Sequence, residues 1–272
     1  MIKITHILKE SFVTYLHNFK KIFWIALPIL ILGIISEYYA AVFTIMLNNN
    51  DFSNMPYFIG SVLVYLVTIL VASLFFAPVL NRAIQKKEDD GNFDSKQAYD
   101  FQKKNIFKWI MVNVWGMLYM LWIMLPYIVV AALLTAVLFM YKDSGITALI
   151  LSSVIGLVFL VGIIMNISKF ILYKNIFFSK DEVSARDAVR ESIMFGKTKN
   201  GQVWMLILIL IILTIIMLIV YFILGFLMGL IYKSAPESIL YIEIITSAVV
   251  STIIFLPLMS IVVAKGYVKI RG

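Results

Sequence analysis

The sequence predicts an all-α integral membrane protein: six transmembrane helices in three helix-pair units, each preceded by a cytoplasmic amphipathic helix. Three observations predict it. Apolar residues make up 62% of the 272 and charged residues 14%, with a mean hydropathy of +0.97. Soluble domains carry about a quarter charged residues. Six apolar runs are each long enough to cross a hydrocarbon core of about 30 Å, which takes about 20 residues. The cations also collect in alternate connections, 21 of them on one side against Lys142 and Lys233 alone on the other. The positive-inside rule then puts both termini and both long connections in the cytoplasm. All 272 residues read as a single membrane domain.

In chain order, Ile2–Phe19 places Ile4, Ile7, Leu8, Phe12, Tyr15, Leu16 and Phe19 on one helical face, opposite Lys3, Lys9, Glu10, His17 and Asn18. That is the pattern of an interfacial helix. Lys20-Lys21 marks the membrane boundary, and the first span is Ile22–Leu47. It is too long for a signal-peptide core and is expected to stay as an anchor. The polar turn Asn48–Pro56 leads to a second span, Tyr57–Val79. Arg82–Lys108 is a long polar connection, opening with Lys86-Lys87-Glu88-Asp89-Asp90-Gly91 as a solvated turn and continuing into a short helix from Asp94 or Ser95. The third span, Trp109–Tyr141, has 33 residues. Straight, it would be about 50 Å long, so a kink is expected, with Pro126 as its cause.

After the turn Lys142–Gly145 comes the fourth span, Ile146–Ile171. The connection that follows contains Ser184–Trp204, an amphipathic helix running straight into a span. Ser184 and Asp187 have capping-box spacing. Ala185, Ala188, Val189 and Ile193 share one face, and Arg186, Asp187, Arg190 and Glu191 the other. Val203–Tyr232 and Ser238–Ala264 are the fifth and sixth spans, joined by Lys233–Glu237.

The spans pair off with a period near 91 residues, pointing to an internal repeat with units 1–90, 91–181 and 182–272. Lys9-Glu10-Ser11 recurs as Arg190-Glu191-Ser192, and Arg82, Lys174 and Lys265 close the even spans at intervals of 92 and 91.

The net charge of +8 is thus a topology signal, reinforced by attraction to anionic headgroups through Lys9, Lys20, Lys21, Lys103, Lys104, Arg186, Arg190 and Lys197. Nucleic acid is not needed to explain it. With no cysteine, disulfides and thiolate sites are excluded. His6 and His17 lie about 16 Å apart on one helix and cannot share a metal. No GxSxG, HExxH, Walker or GxGxxG motif is present. The sequence therefore implies no enzyme, cofactor or metal.

Two acids fall inside apolar runs, Glu37 and Glu243, and intramembrane acids are functional candidates because charge there is costly. They would line an outward cavity of a small transporter or permease, with Pro28, Pro126 and Pro257 breaking its helices. The simpler reading, which the sequence favours, has both acids reaching headgroup water beside Tyr38, Tyr39 and Tyr241. Asn113 and Asn166 bond across helices or contribute to the same polar site. Gly225-x-x-x-Gly229 permits close helix approach.

Asp181-Glu182, Ala185, Ala188, Arg190-Glu191-Ser192, Gly196 and a span opened by Trp204 together resemble bacterial six-helix membrane proteins. The pattern is similar to the membrane domain of some glycerophosphoryl diester phosphodiesterases and to related stand-alone proteins. The resemblance implies a six-span bundle with amphipathic cytoplasmic helices in a bacterial plasma (inner) membrane. It carries no hydrolytic activity, because none of that family's catalytic residues has a counterpart here. The expectation is a non-enzymatic protein that organises lipid, or a scaffold that docks a membrane-protein partner at the cytoplasmic face.

Overall fold

The computed structural model describes residues 4–48, 55–91, 93–140, 145–232 and 236–272. The outer turns expected at Asn48–Pro56, Lys142–Gly145 and Lys233–Glu237 fall largely or wholly outside the described residues, as does the side chain of Glu243. Every described element is helical: α1 Ile4–His17, α2 Phe19–Asn48, α3 Met55–Val71, α4 Ala77–Asp90, α5 Ser95–Met140, α6 Gly145–Ile167, α7 Tyr173–Ser179, α8 Ala185–Thr198, α9 Asn200–Tyr232, α10 Pro236–Val249 and α11 Leu256–Arg271. Two π-helical turns, Ala72–Phe76 and Val250–Phe255, join α3 to α4 and α10 to α11.

Five stretches among the described residues are long and apolar enough to cross a membrane: Phe19–Ala41, Phe58–Asp90, Ser95–Val137, Asn200–Met228 and Ile244–Arg271. The described apolar part of α6, Ser152–Ile167, is shorter.

The chain divides into two compact units, Met1–Phe107 with Met205–Gly272, and Lys108–Trp204. In the first, Ala26, Leu30, Ala248 and Ile253 form an apolar core with Phe23, Leu27 and Ile34 against it. The span ending in α11 is the most enclosed, with 56% of its apolar window buried against 11–28% for the other four. Gly266 lets α11 approach α9: a Cβ there would lie 2.6 Å from Leu206 Cδ1.

In the second unit, Trp109 is buried, with ring centroids 5.9 Å from Phe177 and 4.9 Å from Phe178. These two phenylalanines stand on α7, a short helix with no counterpart in the sequence-based expectation. α6 stops at Ile167, and the five residues before Tyr173 form a turn where continuous span was expected to Ile171.

Helix α1 does not lie flat with its whole apolar face on lipid. Ile7, Ser11 and Tyr15, spaced four apart, are buried in a stripe, and α1 packs against α11. Phe12, Val13 and Leu16 remain exposed. On α8 the buried face is Ala188, Val189, Ser192, Phe195 and Gly196, so Ala185 and Ile193 sit at its margin. The expected cap is present: the Asp187 N–H donates to Ser184 Oγ at 3.1 Å.

The third span also differs from expectation. α5 extends over 46 residues with Pro126 inside it, and its non-helical dihedrals fall at Asn105 (φ −116°, ψ 15°), not at Pro126. Asn105 Nδ2 donates to Phe101 O at 2.9 Å, the local side-chain bond by which asparagine competes with helical geometry. Ser95–Lys104 is thereby set off from the apolar remainder.

Gly196 is the tightest point of the second unit. A Cβ there would meet Lys169 Cα and Ser168 O at 2.6 Å, both backbone atoms that cannot rotate away. Gly196→Ala is expected to cost about 2 kcal/mol. Gly266→Ala, facing only the movable Leu206 side chain, should cost less. Thermal unfolding of the two variants in detergent checks the order.

Candidate functional site at the basic ends of the helices

Proline creates the first feature of the site. It has no N–H, so a proline inside a helix leaves the carbonyl four residues earlier without its usual partner. Pro78 does this to Leu74 and Pro257 to Ile253. At both places the backbone forms a π-helical turn: the Ala77 N–H reaches Ala72 O, and the Leu256 N–H reaches Ser251 O, five residues back. The two junctions share a pattern, Phe76-Ala77-Pro78 and Phe255-Leu256-Pro257, and both phenylalanines have φ −76° and ψ −43°.

Each freed carbonyl receives a side chain from a short helix. Gln102 Nε2, on the first turns of α5, donates to Leu74 O at 2.7 Å. Tyr15 Oη, on α1, donates to Ile253 O at 3.0 Å. Burial holds the Tyr15 phenol above its ordinary 10.0, so it remains a donor at neutral pH. A third bond of the same kind lies in the other unit, where Ser192 Oγ of α8 donates to Lys169 O at 2.8 Å in the turn after α6.

The second feature is a set of ion pairs in the first unit. Lys265 Nζ bonds Glu88 Oε2 at 2.8 Å, with both side chains largely buried (14% and 11% exposed). Arg271 Nη2 bonds Asp89 Oδ1 at 3.0 Å, and Lys269 Nζ bonds Glu10 Oε2 at 2.9 Å. α11 is thus tied at its basic end to α4 on one side and α1 on the other. The run Lys86–Gly91 is therefore not a solvated turn. It forms the last turn of α4, with Gly91 as its left-handed cap (φ 74°), and Glu88 and Asp89 point into the cluster; Asp90 is exposed and pairs with Lys86 at 3.2 Å. The reason is helical phase: residues 88 and 89 face α11 while residue 90 does not.

The predicted cationic positions are distributed over the short helices. Lys9, Lys20, Lys103, Lys104, Arg186, Arg190 and Lys197 are exposed. Lys21 Nζ lies 3.5 Å from Phe93 O and 6.0 Å from that ring's centroid. The Arg186 guanidinium lies 5.9 Å from the Trp115 ring. Arg190 and Lys197 flank a surface groove along α8 with Asp187, Glu191, Ile193, Met194 and Thr198. Glu191 is paired with Lys180 at 2.7 Å.

The intramembrane candidates are each placed within their own unit. Glu37 is exposed on α2, next to the edge-stacked rings of Tyr38 and Tyr39. Glu243 lies on α10, and its side chain is outside the description. Asn113 Nδ2 donates to Trp109 O of its own helix at 2.8 Å, and Tyr173 Oη reaches Asn113 Oδ1 at 3.5 Å. Asn166 Nδ2 donates to Gly162 O at 2.8 Å and Asn166 Oδ1 accepts from Lys169 Nζ at 2.6 Å. Among the described residues no group of three or more His, Asp or Glu is placed to hold a metal ion. Pro28 is accommodated inside α2, and Tyr221, Gly225, Met228 and Ser247 line a crevice between α9 and α10.

Sequence reasoning missed Tyr15, Gln102 and Ser192 as acceptor-seeking donors. The available signal for Tyr15 and Gln102 was a polar atom on a buried helical stripe together with a proline in another helix; Ser192 had no such proline.

Long apolar helices carrying such internally satisfied breaks define a multi-pass helical membrane protein. Comparison of the chain with protein-family models, curated proteins and solved structures gives no match.

Two outcomes test the ion-pair cluster. Glu88→Gln leaves Lys265 buried without its counter-charge and should cost about 3 kcal/mol. Asp90→Asn, at the exposed pair, should change stability by less than about 1 kcal/mol. The Glu10 carboxyl is held below its ordinary 4.5, first by the hydrogen bond from Lys269, against a desolvation penalty, and then by the charges of Lys269, His6 and Lys265. A lowered folded value means its contribution is complete above 4.5 and is lost as pH falls through the lowered value. Wild type should therefore lose more thermal stability on acidification below 4.5 than Glu10→Gln does.

Proposed function

We propose that this chain is a non-enzymatic, lipid-organising membrane protein whose short helices engage the anionic leaflet at the basic side of the bilayer. One observation carries the reading: each short helix spends one stripe on protein and offers another in which cations alternate with exposed apolar side chains. On α1, Phe12, Val13 and Leu16 are 51–57% exposed near Lys9 and Lys20. At the end of the first segment of α5, Phe107 is 80% exposed near Lys103 and Lys104. On α8, Met194 is 53% exposed between Arg190 and Lys197. Apolar side chains at the acyl boundary with Lys and Arg at headgroup level is the chemistry of an interfacial helix on anionic lipid.

The finer architecture belongs to the same reading. Counting α6 as a sixth span gives three helix pairs, each with one amphipathic helix, and a cytoplasmic basic face in a bacterial plasma membrane. The recurrence of Phe-x-Pro 179 residues apart, with matching dihedrals, supports repetition, and the three side-chain bonds to Leu74, Ile253 and Lys169 support three related units. The likeness to the membrane domain of phosphodiesterases is consistent with a module that serves another protein.

The test is stability as a function of lipid charge. Adding phosphatidylglycerol to phosphatidylcholine vesicles should raise the thermal midpoint of the reconstituted protein. Replacing Arg186, Arg190 and Lys197 together by Gln should remove a substantial part of that rise. An identical midpoint in both vesicles would overturn the reading.

A further inference from the structure

We infer that the π-helical turn at Val250–Phe255 is a lipid-responsive joint latched by Tyr15, so that the position of α1 at the bilayer surface sets the bend between α10 and α11. The inference rests on the reading of α1 as a lipid-engaged helix and adds what that engagement controls.

The argument begins with the acceptor. Ile253 is 5% exposed, and its carbonyl can take no bond from Pro257. In an apolar interior an unbonded carbonyl is costly, so the joint is stable only while a donor is supplied. The donor comes from 238 residues away in sequence, on another helix. π-helical turns are rare inside α-helices and are frequent at functional sites. Proline forbids a complete return to the α form and leaves the bend dependent on Tyr15.

α1 is built to transmit a displacement. Its buried stripe, Ile7, Ser11 and Tyr15, packs on α11, and Glu10 at mid-helix pairs with Lys269. Its opposite side carries Phe12, Val13 and Leu16 with Lys9, the residues that meet lipid. Asn18, the single residue between α1 and α2, donates its N–H to Thr14 O at 3.1 Å and accepts from the Ile22 N–H at 3.0 Å, so α1 is joined to α2 by helical bonds and a shift of one is passed to the other. A force on the lipid-facing side is therefore delivered to the Tyr15 hydroxyl. The Gln102–Leu74 bond gives the corresponding joint before Pro78 the same construction.

The chain contains no cysteine, so a labelled pair can be placed on the full-length protein without background. Ile245→Cys and Val263→Cys flank the joint, about 27 Å apart along the helix. Spin-label distance distributions are recorded in phosphatidylcholine vesicles with and without phosphatidylglycerol. Tyr15→Phe keeps the ring, including its edge contact with Phe19 at 5.6 Å, and removes only the donor. It is expected to broaden and shift the distribution and to abolish the response to phosphatidylglycerol seen in wild type. Pro257→Leu restores the missing N–H; in that background Tyr15→Phe should be silent.

A Tyr15→Phe distribution identical to wild type, or an equal effect of Tyr15→Phe with and without Pro257, overturns the latch. If phosphatidylglycerol raises the thermal midpoint but leaves the label pair unmoved, the joint fails and the lipid reading stands. If it changes neither, both fail.

Discussion

A polypeptide in hydrocarbon has no water to complete its hydrogen bonds, and the rest of this structure depends on how that constraint is met at two prolines. Pro78 and Pro257 each deprive a helix of one internal bond, and the backbone responds with a π-helical turn instead of a fracture. Side chains from outside those spans complete the repair. The short helices are therefore structural members whose positions are dictated by acceptors they must reach. A second stripe on each remains exposed because a helix has room for both.

Electrostatics secures the same arrangement by a different route. α11 is the buried centre of the first unit, and its last turns carry Lys265, Lys269 and Arg271. Cations at a helix C-terminus complement its dipole. Here they also find Glu88, Glu10 and Asp89 on two flanking helices. In the first unit the cations of α11 are thus neutralised within the protein, whereas Lys9, Lys20, Lys103 and Lys104 stay exposed. In the second unit shape does this work, with Gly196 letting α8 rest on the backbone of the turn after α6 and Ser192 bonding to it.

Much of this was legible in the chain. Apolar run length identified five of the six expected spans among the described residues, because some twenty apolar residues in lipid overwhelm local propensity. Ser184 was readable as a cap because the capping bond is local. What could not be read were pairings across long separations. Glu88 and Asp89 looked solvated because nothing near them in sequence announces α11, and the α1 face looked uniformly apolar because Ser11 and Tyr15 acquire their roles only against a neighbour. The bend assigned to Pro126 appears at Asn105, where side-chain competition for the backbone outweighed the missing N–H. Helix α7 was hidden because Phe177 and Phe178 bury themselves on Trp109 without any span-length signal.

The bond between Lys269 and Glu10 closes a loop of 259 residues, and that from Tyr15 to Ile253 one of 238. A ribosome making this chain delivers the first helix into the bilayer long before its partner exists. Throughout synthesis Glu10, Glu88 and Asp89 have to wait without the cations of α11, and the phenol of Tyr15 waits for its carbonyl. The first unit can be completed only after residues 108–204 have been made, so its closing step comes late.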